Sequence, residues 1–395
     1  MKAVIIRRFN AGLFVMTNLN RPIVAILKKD LFAILVFLWM LFQIFACSTG
    51  PRIAVKPLPQ YDALFSNSEG WTGGDGVYSV ALNTLTIAWF FGDTWVDRVK
   101  NDRHHAATLV NNSVAIQQGK DPSTAKMRFF FSRDANGQPA AFIQPNDGRG
   151  WFWIFDGVTT PEGLYIFLIQ MDRTSGDTVF GFQVVGTWLG HVANSGESPA
   201  LWRITQSKVP GSTFSAAGGM LWGSAVVPID NFLYIYGTVE EVNGNVARKH
   251  MILARVPASS LADFSTWRFY ADGNWVMDYQ RASRLSSDMP HEYSVTYLPA
   301  LKQYAAVYSE DGLSKNILLR LSPAPEGPWG EPIQIFQCPE AEWDESIFCY
   351  AAKAHADLSQ SPDRLVITYI ANSVNFDRVA NDVRLYRPRF LQLNF

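Results

Sequence analysis

The feature that most constrains this chain is a pair of short apolar strands that recurs five times. In the first copy, residues 70–96, two alternating apolar segments (77–82 and 85–91) are joined by a short Asn-Thr turn. The other copies are weak in identity but keep a strand, a polar or Pro/Gly connection and a more apolar strand. A comparable marker position near the start of each copy holds these residues: Asp75, Asp156, Ser224, Glu292 and His355.

The spacing of the markers predicts the architecture. They lie 81, 68, 68 and 63 residues apart, and residues 61–395 divide into five units of 67 residues. Such units are longer than WD40-type blades of about 40–45 residues but suit large blades with loops. Short apolar runs cut by turn residues, with 27 Phe, 14 Tyr and 13 Trp, indicate an all-β chain. We therefore predict a five-bladed β-propeller, which closes its ring and limits exposed sheet edges.

The N-terminus carries a separate signal. Residues 31–46 are apolar apart from one glutamine and follow Arg21, Lys28 and Lys29. At 16 residues this segment is short for a membrane span, which needs about 20. A charged region followed by an apolar one is typical of an export signal. The small residue before Cys47 resembles a bacterial lipoprotein signal, in which Cys47 is lipidated; the alternative is an uncleaved signal anchor.

These features divide the chain into three parts. Residues 1–47 are expected to be a signal peptide or membrane anchor, 48–60 a linker, and 61–395 the propeller. The expected location is the bacterial cell envelope or periplasm, as a membrane-anchored lipoprotein. The formal net charge of −1 gives no support for nucleic-acid binding, which usually leaves a basic footprint.

The remaining cysteines agree with export. Cys338 and Cys349 lie 11 residues apart around an acidic loop. In an oxidising compartment they would form a disulfide that closes the loop, and the alternative is two buried thiols. The sequence contains no CxxC or HExxH spacing, so neither a metal nor a cofactor is predicted.

Several motifs resemble a known group of proteins. GGDGVYSV followed by FFGDTWV, then LWGSAVV, HEYSVTY and AAKAH, are similar to an uncharacterised bacterial family. That family belongs to the superfamily of five-bladed propeller glycoside hydrolases, which includes arabinanases and xylosidases. The resemblance implies a deep pocket at one end of the propeller axis, lined by the first strand of each blade, with a carbohydrate as substrate. It also implies catalytic acids from blades one, two and three.

The acids carry over only in part. Asp75 fits the blade-one acid, which acts as base or nucleophile, and Asp156 fits blade two. Blade three offers Ser224, which is not a carboxylate, so we assign the general acid to Glu292 of blade four by inference. The chemistry needs one protonated and one ionised carboxyl group. Asp75, among glycine backbone amides, is expected to be ionised, and Glu292 is expected to have a raised pKa.

Five further residues are candidates for contacts with the substrate. Asp93 either binds sugar or holds the backbone of the first blade. Asn112 either presents a sugar-contacting amide or ends a strand, and Trp153 either stacks on a sugar or packs between blades. Ser224 lies at the blade-three marker. His355 binds sugar hydroxyls or a central ion or water, or is simply hydrogen-bonded within the protein.

The sequence thus favours an exported, lipid-anchored hydrolase of glycosidic bonds in a furanose- or pentose-containing polysaccharide. The main alternative is a non-catalytic carbohydrate-binding or cell-envelope scaffold propeller, because a fold alone does not specify function. A protein–protein interaction propeller is a third hypothesis, but it leaves the carboxyl groups at the strand ends unexplained.

Overall fold

Strands dominate the residues that the computed structural model describes, which are 53–174, 181–244, 246–359 and 361–395. The predicted all-β fold class is confirmed. Two short α-helices are present there, α1 (Pro59–Asp62) and α2 (Phe376–Ala380), and none of the helices in these ranges is long and apolar enough to cross a membrane. The apolar segment 31–46 and Cys47 lie outside the described residues, so the export signal and the lipidation stay predictions. Single-turn 3-10 helices occur at Ala63–Phe65, Pro199–Leu201, Ala258–Ser260, Phe264–Thr266, Tyr279–Arg281, Pro339–Glu342 and Ala356–Leu358.

The first described strand, β1 (Ala54–Pro57), pairs with the last strand of the chain, β28 (Pro388–Asn394). The prediction that residues 48–60 form a linker is therefore wrong from Ala54 onward. A four-residue strand is too short to show an alternating pattern in the sequence. Its backbone finds partners only because the other end of the chain returns to the same sheet.

The first sheet contains the predicted hairpin, in which β3 (Tyr78–Ala81) pairs antiparallel with β4 (Thr86–Phe91). Asn83 tightens the turn, because its Oδ1 accepts the backbone N–H groups of Leu85 and Thr86 at 3.0 and 2.9 Å. The sheet has the order β3-β4-β7-β8, and a three-stranded insert has the order β2-β5-β6. The other strands are β2 (Glu69–Gly74), β5 (Thr94–Lys100), β6 (Arg103–Val110), β7 (Ser113–Gln118) and β8 (Lys126–Phe130).

Four more large sheets follow in chain order, after a small hairpin of β9 (Ser132–Arg133) and β10 (Pro139–Ala140). The second sheet consists of β11 (Trp151–Thr160), β12 (Gly163–Arg173), β13 (Phe182–Val192) and β14 (Ile204–Lys208). The third consists of β15 (Phe214–Ser215), β16 (Gly218–Ile229), β17 (Phe232–Asn243), β18 (Val246–Pro257), β19 (Arg268–Ala271), β20 (Asn274–Val276) and β21 (Ser286–Ser287). The fourth consists of β22 (Tyr293–Leu298), β23 (Gln303–Ser309), β24 (Asn316–Ser322) and β25 (Ile333–Gln337). The fifth consists of β26 (Ile347–His355), β27 (Arg364–Ser373), β28 and β1.

The first strands of the five large sheets contact one another in sequence. β3 contacts β11, β11 contacts β16, β16 contacts β22, β22 contacts β26, and β26 returns to β3. These strands therefore surround a common axis. The disulfide that links Cys338 to Cys349 joins the fourth sheet to the fifth, and both cysteines are buried.

Aromatic side chains fill the space between neighbouring sheets. Trp222 of the third sheet packs near Trp267 and Phe269 in a buried cluster that also includes residues of the first and second sheets. Near the closure of the ring, Phe65 stacks on Phe390 with ring centroids 5.2 Å apart. Such large rings contribute much of the apolar area that is buried between the sheets.

Candidate functional site

The backbone of the first strands is interrupted at or near the marker positions. β11 has a bulge between Ile154 and Gly157, and β16 has one between Trp222 and Ala225. In the first sheet the break precedes β3, where Val77 has a φ of 55°, an unusual conformation for a β-branched residue. Such breaks leave residues out of the ladder, so their side chains are free to take other directions near the axis.

The break in the fifth sheet changes the expected register. The bulge in β26 lies between Tyr350 and Lys353, so Ala351 and Ala352 correspond to the bulged residues of the other sheets. His355 was aligned with the other markers in the sequence, but it lies beyond this bulge. The weak identity of the fifth copy hid the offset.

Two cavities of about 340 Å³ each meet beside the carboxyl groups of the first and fourth sheets. The first cavity continues past Phe155 and His291. The second cavity continues past Asp93 and Tyr386. Five residues line both cavities: Asp75, Trp153, Glu292, Leu313 and Tyr350. The structure therefore brings together Asp75 and Glu292, the two residues predicted to form the acid–base pair.

Asp75 is held by the opposite end of the chain. The hydroxyl groups of Tyr350 and Tyr386 each donate a hydrogen bond to its Oδ2 at 2.7 Å. On the other side, a Cβ added to Gly92 would lie 2.5 Å from Oδ1, so a larger residue at position 92 would clash with the Asp75 carboxyl group. Oδ1 accepts no hydrogen bond from the described residues.

Burial raises the pKa of Asp75 to about 8, with Asp93 and Glu292 nearby adding to the effect and the two tyrosine hydroxyls opposing it. The expectation that Asp75 is ionised because glycine amides surround it is contradicted. The donors to its carboxyl group are tyrosine hydroxyls, and the backbone N–H of Gly74 donates instead to the carbonyl of Tyr386 at 2.9 Å. The raised pKa favours the protonated form of Asp75.

Glu292 has a different electrostatic environment, because a buried cation faces it. The Lys353 ammonium lies 3.1 Å from Glu292 Oε1 and 3.1 Å from the carbonyl oxygen of Ala351. The same ammonium lies 4.4 Å from the ring centroid of Tyr78. The side chain of Lys353 is 1% exposed. Burial lowers the pKa of Lys353, and the neighbouring Glu292 opposes that change. The expectation that Glu292 is the protonated partner stays a prediction.

Asp156 lines neither of the two cavities. Its Oδ2 accepts the backbone N–H of Val226, and its Oδ1 that of Gly157, both at 2.8 Å. Burial raises the pKa of Asp156 to about 7, although these two hydrogen bonds and the Lys353 ammonium oppose the rise. Asp156 thus connects the second sheet to the third. Because it lines neither cavity, its catalytic role stays a prediction.

Asp93 and Trp153 form one unit in the wall of the second cavity. The indole Nε1 of Trp153 donates to Asp93 Oδ1 at 3.0 Å, and the Asn111 amide donates to the same oxygen at 3.3 Å. Burial raises the pKa of Asp93 to about 6. Trp153 also lines the first cavity, so it lies where an aromatic platform for a sugar ring would be needed.

The other three predicted sugar contacts are engaged within the protein. The buried Asn112 amide bonds to the backbone of Ile143 and Phe152 at 2.7–2.9 Å. The Ser224 hydroxyl donates to the carbonyl of His291 at 2.7 Å. Both side chains are buried, and both residues line neither cavity.

His355 is likewise satisfied inside the protein. Its Nδ1 and Nε2 each lie 2.8 Å from a hydroxyl, of Ser79 and Thr368 respectively. Burial and the nearby Lys353 lower its pKa to about 3, so the ring is neutral. With both nitrogens occupied, His355 has no free atom for a central ion. The described residues contain one cluster of possible metal ligands, Cys338, Glu340 and Cys349, and its two sulfurs are joined to each other.

Sequence reasoning missed Lys353, Tyr350 and Tyr386. Lys353 lies in the AAKAH motif, and the bulge in β26 that brings Lys353 rather than His355 to Glu292 has no local signal in the sequence. The two tyrosines lie 275 and 311 residues from Asp75, and no local pattern connects them to it.

Three partly buried carboxyl groups predict a pH dependence of stability. The pKa values of Asp75, Asp156 and Asp93 are raised to about 8, 7 and 6, so the folded chain holds protons that the unfolded chain releases above about pH 4. Their stabilising contribution is complete below that pH and is lost as the pH rises to 8. We expect Asp75→Asn, which mimics the protonated acid, to gain stability relative to the wild type between pH 5 and pH 9. Urea unfolding of both proteins at these pH values would show it, and a constant difference would contradict the raised pKa.

Comparison with solved structures found three chains that match over most of their length. A "putative hydrolase" from Bacteroides ovatus is 19% identical, with a TM-score of 0.67 over 88% of this chain and 92% of that chain. The α-L-arabinofuranosidase PaAbf62A from Podospora anserina, in complex with cellotriose, is 11% identical, with a TM-score of 0.46 over 83% of this chain and 93% of that one. The GH43_1 enzyme from Xanthomonas citri, complexed with xylose, is 13% identical, with a TM-score of 0.42 over 85% and 92%.

Sequence comparison places the chain in a family. None of the curated proteins compared with the chain matches its sequence. Residues 59–394 match a family described as a domain of unknown function, DUF5005. The resemblance to an uncharacterised family that the motifs indicated is thereby confirmed. Because the match spans most of the chain, this protein is a member of the DUF5005 family.

Proposed function

We propose that this protein is an exported glycoside hydrolase whose five large sheets are the blades of a β-propeller. The observation that carries the proposal is the pair of carboxyl groups, Asp75 and Glu292, which line the same two cavities. Asp75 accepts hydrogen bonds from two tyrosine hydroxyls, and Glu292 faces the Lys353 ammonium. Hydrolysis of a glycosidic bond needs one protonated and one ionised carboxyl group on the two sides of the bond. The substrate class that we propose is a furanose- or pentose-containing polysaccharide.

The roles that the environments favour are the reverse of those expected from the sequence. Asp75, with a pKa of about 8, donates its proton to the leaving oxygen from Oδ1. The hydroxyl groups of Tyr350 and Tyr386 then stabilise the carboxylate that remains through its Oδ2. Glu292, which faces the Lys353 ammonium at 3.1 Å, either attacks the sugar or removes a proton from the attacking water.

The cavity walls supply the means to hold a sugar. Trp153 presents an indole ring to both cavities, and Phe155 lies beside it on the wall of the first. Aromatic faces pack against the apolar faces of sugar rings, and polar side chains at the mouth bind hydroxyl groups. The first cavity offers Lys249 for the second task.

Export and membrane attachment are part of the same proposal. The disulfide between Cys338 and Cys349 supports an oxidising compartment, because such bonds are rare in the cytosol. The apolar segment 31–46 and Cys47 would provide the signal and the lipid anchor. Labelling of cells with a radioactive fatty acid would test the anchor, and label that persists in Cys47→Ser would contradict it.

The experiment that tests the hydrolase is a substrate panel. The full chain would be incubated with arabinans, arabinogalactans, xylans, fructans and bacterial envelope glycans, with product release followed by chromatography. Asp75→Asn and Glu292→Gln would be run beside Asp311→Asn, a control carboxyl group at the mouth of the first cavity. Cleavage that is lost in the first two variants and retained in the control would support the proposal.

A carbohydrate-binding propeller without catalysis is the second candidate. It is favoured by the third blade, where Ser224 replaces the expected acid and its hydroxyl is bonded to the backbone of His291. Sugar binding without bond cleavage, equal in the wild type and Glu292→Gln, would support this candidate over the hydrolase.

A further inference from the structure

The second cavity has an apolar rim that the proposed hydrolysis does not use. Eleven large apolar side chains are exposed in the described part of the chain, and four of them line this one cavity. We call these four the apolar rim: Leu109 (40% exposed), Leu313 (54%), Val374 (60%) and Phe376 (46%). A cluster of exposed apolar side chains around a concavity usually marks a place where a ligand or partner binds.

The rim is held in place rather than being a loose edge. Phe376 begins α2, and its ring packs against Trp95 with centroids 5.2 Å apart. Asn375 caps the helix, because its Oδ1 accepts the backbone N–H of Asp377 at 3.0 Å. Val379, one turn further along, is buried. The ring of Phe376 is therefore already ordered and partly exposed before any ligand arrives.

Polar groups in the second cavity are already engaged by the protein. Asp93 accepts from Trp153, and the Asn372 amide donates to the Tyr350 hydroxyl at 3.3 Å. The Ser373 hydroxyl lies 2.7 Å from that of Ser346. The surface that remains available to a ligand, beyond the catalytic carboxyl groups, is thus mainly apolar.

We propose that the second cavity binds an apolar aglycone, meaning an aryl or alkyl group joined to the sugar whose glycosidic bond lies at Asp75 and Glu292. This inference rests on the proposed function. The occupant is part of the substrate because the cavity shares both carboxyl groups and Trp153 with the first cavity. A bond held between the two carboxyl groups has its sugar on one side and its leaving group on the other, and the rim provides an apolar surface for the leaving group.

The test compares methyl and octyl glycosides of the same sugar, with α-L-arabinofuranosides and β-D-xylopyranosides as the probes. Dissociation constants would be measured by calorimetry on the full chain carrying Glu292→Gln, so that cleavage does not interfere. We expect octyl glycosides to bind at least about 10-fold tighter than methyl glycosides. Phe376→Ala and Val374→Ser, each added separately, should reduce this ratio to about 3-fold or less without changing the binding of the methyl compound.

The control is Met277→Ser, which removes an apolar side chain that is 70% exposed but lines neither cavity. It should leave the octyl-to-methyl ratio unchanged. Equal binding of the two glycosides, no binding of either octyl glycoside, or an equal effect of Met277→Ser would overturn the inference.

Hydrolysis measured in parallel on the wild type separates this inference from the proposed function. An octyl preference that depends on the rim, with no cleavage of any substrate, keeps the aglycone site and rejects the hydrolase. Cleavage of the polysaccharide panel with no octyl preference keeps the hydrolase and rejects the aglycone site.

Discussion

Asp75→Asn is expected to reduce the rate of polysaccharide cleavage by about 10³-fold or more, while cleavage of a dinitrophenyl glycoside falls by about 10-fold at most. A dinitrophenolate leaves without being protonated, so loss of the general acid hardly affects it. Glu292→Gln should lose activity on both substrates, because attack on the sugar is required in each case. Steady-state kinetics on the two substrates, made with the sugar that the panel identifies, would measure both effects.

The comparison decides between the two assignments of the carboxyl groups. If Glu292→Gln retains activity on the dinitrophenyl substrate and Asp75→Asn does not, the assignment first expected from the sequence is right and the one argued from the pKa of Asp75 fails. Asp311→Asn serves as the matched control, because it removes a carboxyl group from the mouth of the first cavity without touching the pair.

Lys353→Met is expected to lower the free energy of unfolding by about 2–3 kcal/mol, because it removes one partner of a largely buried ion pair. The methionine would keep the apolar packing of the lysine stem. Urea unfolding of the wild type and the variant would measure this effect, and an unchanged free energy of unfolding would contradict it.

A double-mutant cycle separates the ion pair from simple packing. Glu292→Gln combined with Lys353→Met removes both charges and should restore part of the lost stability. Lys315→Met, which removes a cation from an exposed pair with Glu342, should cause no measurable change. If the double variant is as unstable as the sum of the two single variants, Lys353 acts by packing alone.

The sequence predicted the all-β fold class, and it singled out two carboxyl groups that line the same two cavities in the structure. The repeated hairpins are local features, in which alternating apolar residues and short turns specify strands without reference to the rest of the chain. The turn at Asn83, with its side chain bonded to the two following strand residues, is one example. Asp75 and Glu292 could be chosen because they occupy corresponding places in the repeat and carry the chemistry that hydrolysis needs.

Tertiary structure decided what those residues do. Whether Asp75 is protonated depends on burial and on tyrosines from the fifth sheet and the C-terminal region. Glu292 is paired with a lysine that a bulge in β26 places near the axis. Asn112 was chosen as a sugar contact, but its amide is consumed by the backbone of the next sheet. The pattern of apolar residues along the chain therefore determined which segments form strands. The protonation of a carboxyl group and its access to a ligand depend on desolvation and on partners hundreds of residues away. Only the closed ring of sheets brings those partners together.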